Sequence, residues 1–179
     1  MLDLIIPASE RFNEKTGEFI YTNEQKICLE HSLISLSKWE AKYEKPFLSS
    51  EKTNLEVLDY IRFMTLTQNV KPEVYLCLTK DNVEAIEKYI NAPMTATTVP
   101  KSTKRNPHHE IITAELIYYW MIALNIPFEC QKWHLNRLLK LIEVCSYKNE
   151  PPKKMTRSEI LQRNRELNAA RRAKYNTKG

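Results

Sequence analysis

The sequence predicts a mainly α-helical protein: a helical domain with a small N-terminal β-hairpin and a basic C-terminal helix. Three observations carry this. Apolar residues recur at three- and four-residue spacing through most of the first 146 positions, the period of a helix with one buried side. Glycine occurs only twice, where average usage of about 7% would give roughly a dozen. That argues against tight primed hairpins and Gly-rich phosphate loops, and no nucleotide-binding fingerprint is present. The last 29 residues, Pro151 to Gly179, hold nine Lys or Arg against Glu159 and Glu166, a balance of +7. The whole chain's +5 less that +7 leaves −2 for the first 150 residues.

The first element is a pair of strands. LDLII and GEFIY flank the polar stretch ASERFNEKT, which ends at Gly17, and read as a loose hairpin needing support from the body or a partner sheet. Thr22 or Asn23 can cap a first helix to about Glu44, with Ile27, Leu29, Leu33, Ile34, Leu36 and Trp39 on its apolar side and Pro46 closing it. Asn54 caps a second helix carrying Leu55, Leu58, Ile61, Phe63 and Met64. Pro72 opens a short helical turn through Leu78. Thr79 then caps a helix from Asp81 to Ile90.

Residues 91–109, with three prolines, four threonines and the cluster Lys101, Lys104, Arg105, form a linker between two helical subunits or an exposed loop within one domain. A fifth helix, Glu110 to Leu124, is apolar nearly all round and therefore expected to be central. Pro127 breaks it. A sixth, from about Glu129 to Ser146, is expected to pack back on it as an antiparallel hairpin. Pro151 and Pro152 end the body. The domains expected are thus 1–150, the helical body with its hairpin, and 151–179, a basic helical extension capped by Thr156 with Glu159 at capping-box spacing.

Chemistry is poorly advertised. Cys28, Cys77, Cys130 and Cys145 form no CxxC pair, sit in apolar helical patterns and read as buried thiols of a reducing cytosol. MLDLIIPASERF acquires charge too early for a signal peptide, and the apolar run Ile111–Phe128 is broken by Glu115 and Asn125 before it could span a membrane. Cys130 and His134, four apart on one expected helix, have a metal-gripping spacing, but a core Cys and a boundary His is the preferred reading, and no cofactor is expected. His31 reads as a surface histidine. The acid pairs Glu24/Glu30 and Glu56/Asp59 read as wet helix faces. No arrangement of nucleophile, base and oxyanion donors emerges, so a non-enzymatic binding protein is expected.

The extension is the candidate partner-binding element, through Arg157, Ile160, Leu161, Arg163, Arg165, Leu167, Arg171 and Arg172. Ile160, Leu167 and Ala170 share a narrow stripe for a protein partner, with the arginines pairing acids or covering apolar surface with their stems. Nucleic acid is a poorer fit, because the body is mildly acidic and Tyr175 is the tail's single aromatic.

EIITAELIYYWMIALNIPFECQKWHLNRLLKLIEVC followed by PPKKMTRSEILQRNRELNAARRAKYNTKG resembles the tail assembly chaperones of tailed bacteriophages and prophages. SLSKWEAKYEKPFLSSEKTNLEVLDYIRFMTLTQNV and the loop string APMTATT extend the resemblance over nearly all of Glu18 to Gly179. It implies a helical protein of the host cytoplasm that binds the tape measure protein, keeps its apolar helices soluble and helps tail tube subunits polymerise around it. Further copies of the chain are admissible partners. The resemblance supplies no catalytic residues. Met64, Met94, Met121 and Met155 would offer soft contacts, with core packing preferred for Met64 and Met121. The competing expectations are a structural tail or neck protein of the virion, whose hairpin adds strands to a neighbour's sheet, and a basic nucleic-acid-binding regulator.

Overall fold

The computed structural model describes residues 1–13, 17–99, 110–149 and 156–176, and for residues 11–13, 18 and 20 the backbone alone. The protein is mainly helical with a small N-terminal β-region, as its composition predicts, and divides into two compact units, Met1–Lys148 and Asn149–Gly179.

The β-region is two ladders, one inside the other. β1 (Leu2–Ile6) pairs antiparallel with β4 (Gln25–Leu29), Leu4 opposite Ile27. β2 (Ser9–Asn13) pairs with β3 (Glu18–Thr22), Ser9 opposite Thr22. Pro7, which has no N–H to donate, lies between the ladders. Leu4, Ile6, Ile27 and Leu29 point inward, while Asp3 and Lys26 pair at 3.1 Å on the outer side. The other edge of β4 is covered by the chain after α2. The Leu66 amide donates to the Cys28 carbonyl (2.8 Å), the Cys28 amide to Thr67 Oγ1 (2.9 Å), and the Glu30 amide to the Met64 carbonyl (2.8 Å).

This corrects two expectations. LDLII does not pair with GEFIY; each has another partner. Residues 25–29 are a strand, not the start of the first helix. Ile27 and Leu29 satisfy a two-residue period as well as a helical one, and pairing on both edges, invisible locally, decides for the strand. The first helix, α1 (Leu33–Tyr43), starts nine or ten residues later than expected, under a Ser32–Ser35 capping box.

α1 is the centre of the body. Leu33, Leu36 and Trp39 are wholly buried, and α2 (Asn54–Met64), α4 (Ala114–Ala123) and a 3-10 turn at Phe128–Lys132 pack on it. Thr53, not Asn54, caps α2, and its capping partner is Glu56. Trp39 packs on Tyr43 and Phe47 at 5.0 Å between ring centroids, and its Nε1–H donates to the Glu56 carbonyl (3.0 Å). Glu40, also buried, accepts the Phe47 amide on Oε1 and the Ala114 amide on Oε2, both at 2.7 Å. One carboxylate thereby joins the turn after α1 to the first residue of α4, where the helix presents unpaired N–H groups. Glu40→Gln keeps the shape but turns an NH2 toward one of those donors. A loss of about 1–3 kcal/mol in urea unfolding is expected, the cost of one buried unsatisfied N–H.

A 3-10 turn at Pro72–Cys77 and α3 (Lys80–Asn91), capped by Thr79, fall where predicted, and α3 lies on β1. Residues 92–99 carry no regular structure. The basic cluster Lys101, Lys104, Arg105, together with His108 and His109, lies outside the described residues.

The fifth and sixth helices depart from expectation. α4 is shorter, capped by Thr113, and buries Ala114, Ile117 and Met121, while Tyr119 and Ile122 are exposed. Its closest helical packing is on α1 rather than on α5 (Leu135–Asn149). Asn125, in the left-handed region at φ 53°, and the Pro127 turn redirect the chain into the 3-10 turn that carries Cys130. Cys28 lies in a strand and Cys77 and Cys130 in 3-10 turns, so of the four thiols only Cys145 is in an α-helix; Cys130 alone of them is fully buried.

Candidate partner-binding surfaces

α6 (Arg157–Tyr175) is nineteen residues long and buries none of them. Local hydrogen bonds define both ends. Thr156 Oγ1 accepts the Glu159 amide (3.3 Å), Glu159 Oε2 accepts the Thr156 amide (2.7 Å), and Asn176, left-handed at φ 52°, donates its amide to the Arg172 carbonyl. Most helices in proteins depend on packing for stability. This one is marked out by its caps and by Gln162–Glu166, a 3.2 Å pair one turn apart.

All eight nominated residues lie on α6 and are exposed. Ile160, Arg163, Leu167 and Ala170 follow one another along one face; Leu161, Arg165 and Arg172 run along a second row on nearly the opposite side, with Arg157 and Arg171 between. The exposed apolar residues Ile160, Leu161 and Leu167 thus alternate with guanidinium groups over about half the circumference. That arrangement can lie on an apolar groove flanked by acids, or along a row of phosphates.

The body brings together polar residues that local pattern had placed apart. His31, expected at the surface, is 2% exposed, and His134 is 5% exposed. Their rings meet edge-on at 5.1 Å. His31 Nδ1 shares a 2.5 Å hydrogen bond with Tyr60 Oη, and the His31 carbonyl accepts the Leu135 amide at 2.7 Å. The Tyr89 hydroxyl donates to Glu30 Oε1 (2.8 Å), whose other oxygen meets the Met1 ammonium (3.1 Å). Glu30 and Glu56 are therefore buried, not wet, and Asp59 receives Lys42, Tyr43 and Arg62. A signal for His31 did exist: Ile27, Leu29 and His31 stand at the two-residue spacing of one strand face.

The Cys130–His134 metal reading fails on geometry. The two residues are not on one helix. His134 Nδ1 accepts the Asn136 amide (3.3 Å) and Nε2–H donates to the Tyr89 carbonyl (3.0 Å), so no lone pair is left for a metal. Among the described residues no group of three His, Cys, Asp or Glu is placed to hold an ion.

Burial, with a smaller push from His134, lowers the His31 pKa to about 3, and burial likewise lowers that of His134. Both are neutral at pH 7. Unfolded, each takes a proton near pH 6.5, so the unfolded chain binds more protons as pH falls. Stability is thus complete above about 6.5 and declines below it, His31 alone contributing about 1.4 kcal/mol per pH unit down to about 3. Denaturant midpoints between pH 7.5 and 4.5 check this. His31→Gln should flatten the slope.

Beside this cluster lies a cleft of about 600 Å³, lined by Ile34, Leu66, Met94 and Trp133 together with the buried Glu30, Tyr89 and His134. Met64 and Met121 are core residues, while Met94 is 39% exposed; Met155 is outside the described residues. No helix among the described residues is long and apolar enough to cross a membrane. Comparison with protein-family models, with curated proteins and with solved structures finds no match.

Proposed function

We propose that the chain is a non-enzymatic tail assembly chaperone of a tailed bacteriophage. It binds the tape measure protein in the host cytoplasm and promotes assembly of tail tube subunits around it. The observation that carries this is α6: a fully exposed, doubly capped helix in its own unit, with Ile160, Leu161 and Leu167 set among arginines. A helix with that surface suits docking along another amphipathic helix. The sequence resemblance points the same way. A role without a chemical step is supported by the body's polar cluster, in which His31 bonds to the Tyr60 hydroxyl, His134 to the Tyr89 carbonyl and Tyr89 to Glu30.

A second reading, a structural tail component, is favoured by one feature. β2 and β3 form a two-stranded sheet of their own, with Phe19 and Tyr21 exposed, a shape that can add strands to a neighbour. Pull-down of the tape measure protein by the tagged chain, with and without nuclease and across a salt series, separates the readings. A nuclease-resistant complex that keeps most of its affinity in salt is expected, since apolar burial carries it. Nucleic acid recovered without tape measure, with binding that falls steeply in salt, would identify a regulator. The chain present in purified tails would identify a structural component.

A further inference from the structure

The cleft of the body has an electrostatic imbalance at its edge. Lys132 and Arg137 line it and are exposed, and among the described residues neither has a carboxylate partner. Arg137 instead stacks its guanidinium 4.2 Å from the centre of the Trp133 ring, which holds it beside the apolar wall. Glu30, in the same cleft, is already bonded to Tyr89 and to the Met1 ammonium, so its charge does not offset the two cations. Leu66, 53% exposed, and Met94, 39% exposed, line the same cleft and leave apolar surface open to an occupant.

We infer that this cleft is a docking groove for a protein segment with an apolar stripe flanked by acidic residues. Its carboxylates would meet Lys132 and Arg137, and its apolar side chains Ile34, Leu66, Met94 and Trp133. The inference rests on the reading of the chain as a chaperone for amphipathic helices, and gives the body a second contact surface beside that assigned to α6.

The test uses the full chain and three fluorescein-labelled, end-capped 18-residue peptides. One has leucines at helical spacing with glutamates elsewhere, one replaces Glu by Lys, and one replaces Leu by Ser. Polarisation should show saturable binding of the Leu/Glu peptide alone. K132E/R137E, both at exposed positions, should weaken it at least tenfold at an unchanged unfolding midpoint, and Leu66→Ala by several-fold. R171E/R172E on α6 should weaken binding of this peptide less than K132E/R137E does, because α6 is a separate contact surface. The groove is excluded if the α6 variant abolishes binding and the cleft variants do not. Equal binding of the Ser/Glu peptide would mean charge without a groove, and saturable oleate binding with no peptide binding would mean a lipid anion; either overturns the proposal. Peptide bound at the groove alongside failed capture of the tape measure protein supports the groove and removes the chaperone reading. Capture by K132E/R137E equal to that of the unsubstituted chain, with no peptide bound, removes the groove alone.

Discussion

Removal of residues 151–179 is expected to abolish capture of the tape measure protein while the remaining body stays folded. The buried apolar residues run from Leu4 to Ile142. The unit boundary falls at Lys148–Asn149, and no residue of α6 is buried. Among the described residues truncation therefore removes none that is buried, and the unfolding free energy should change by no more than about 0.5 kcal/mol, the usual range for surface changes. Capture should fall by more than tenfold. Charge reversal at Arg171 and Arg172 should take part of that loss, and Ile160→Ser with Leu167→Ser another part, because both kinds of contact are assigned to the helix. A truncated body that no longer folds would make α6 a structural element. A truncated body that still captures its partner would move recognition elsewhere.

Trp39→Ala is expected to be the most damaging single substitution, about 3–5 kcal/mol by chemical denaturation. Trp39 is wholly buried on the central helix, packs on Tyr43 and Phe47, and reaches α2 through its bond to the Glu56 carbonyl. Removing it opens a cavity where α1, α2 and the following turn meet, and also takes away a second donor from that carbonyl, which keeps its bond within α2. Trp39→Phe separates the two contributions: it keeps most of the packing and should cost about 0.5–1.5 kcal/mol, the net worth of one hydrogen bond. A Trp39→Ala protein with an unfolding midpoint near that of the parent would show that α1 is not the centre of the core.

What was legible in the sequence was whatever local chemistry decides. Thr79 and Thr156, each three residues ahead of a side chain that returns the bond, mark helix starts by themselves. The Pro72 turn and the exposed sparseness of α6 are equally local. What stayed hidden depends on partners far along the chain. Residues 25–29 become a strand because β1 on one edge and Thr65–Thr67 on the other supply hydrogen bonds. Glu40 is buried because Phe47 and Ala114, the latter 74 residues away, donate to it. His31 is buried because Tyr60 and His134 close over it from distant segments. α4, apolar nearly all round, was expected to be enclosed, yet Tyr119 and Ile122 remain exposed, because its closest helical neighbour, α1, packs along one side only. The eight residues of α6 were nominated for partner binding because a helix with so little to bury advertises itself by composition, and the structure places all eight at exposed positions. The cleft was not found, since Leu66, Met94 and Arg137 come from three separate segments.

The chaperone assignment is tested most directly by the soluble yield of the tape measure protein from the same gene cluster, expressed alone and together with this chain. The expected result is a tape measure protein that is insoluble alone and recovered in the soluble fraction, bound to this chain, when both are made. A tape measure protein equally soluble in both cultures, or insoluble in both while this chain is abundant and folded, would contradict it.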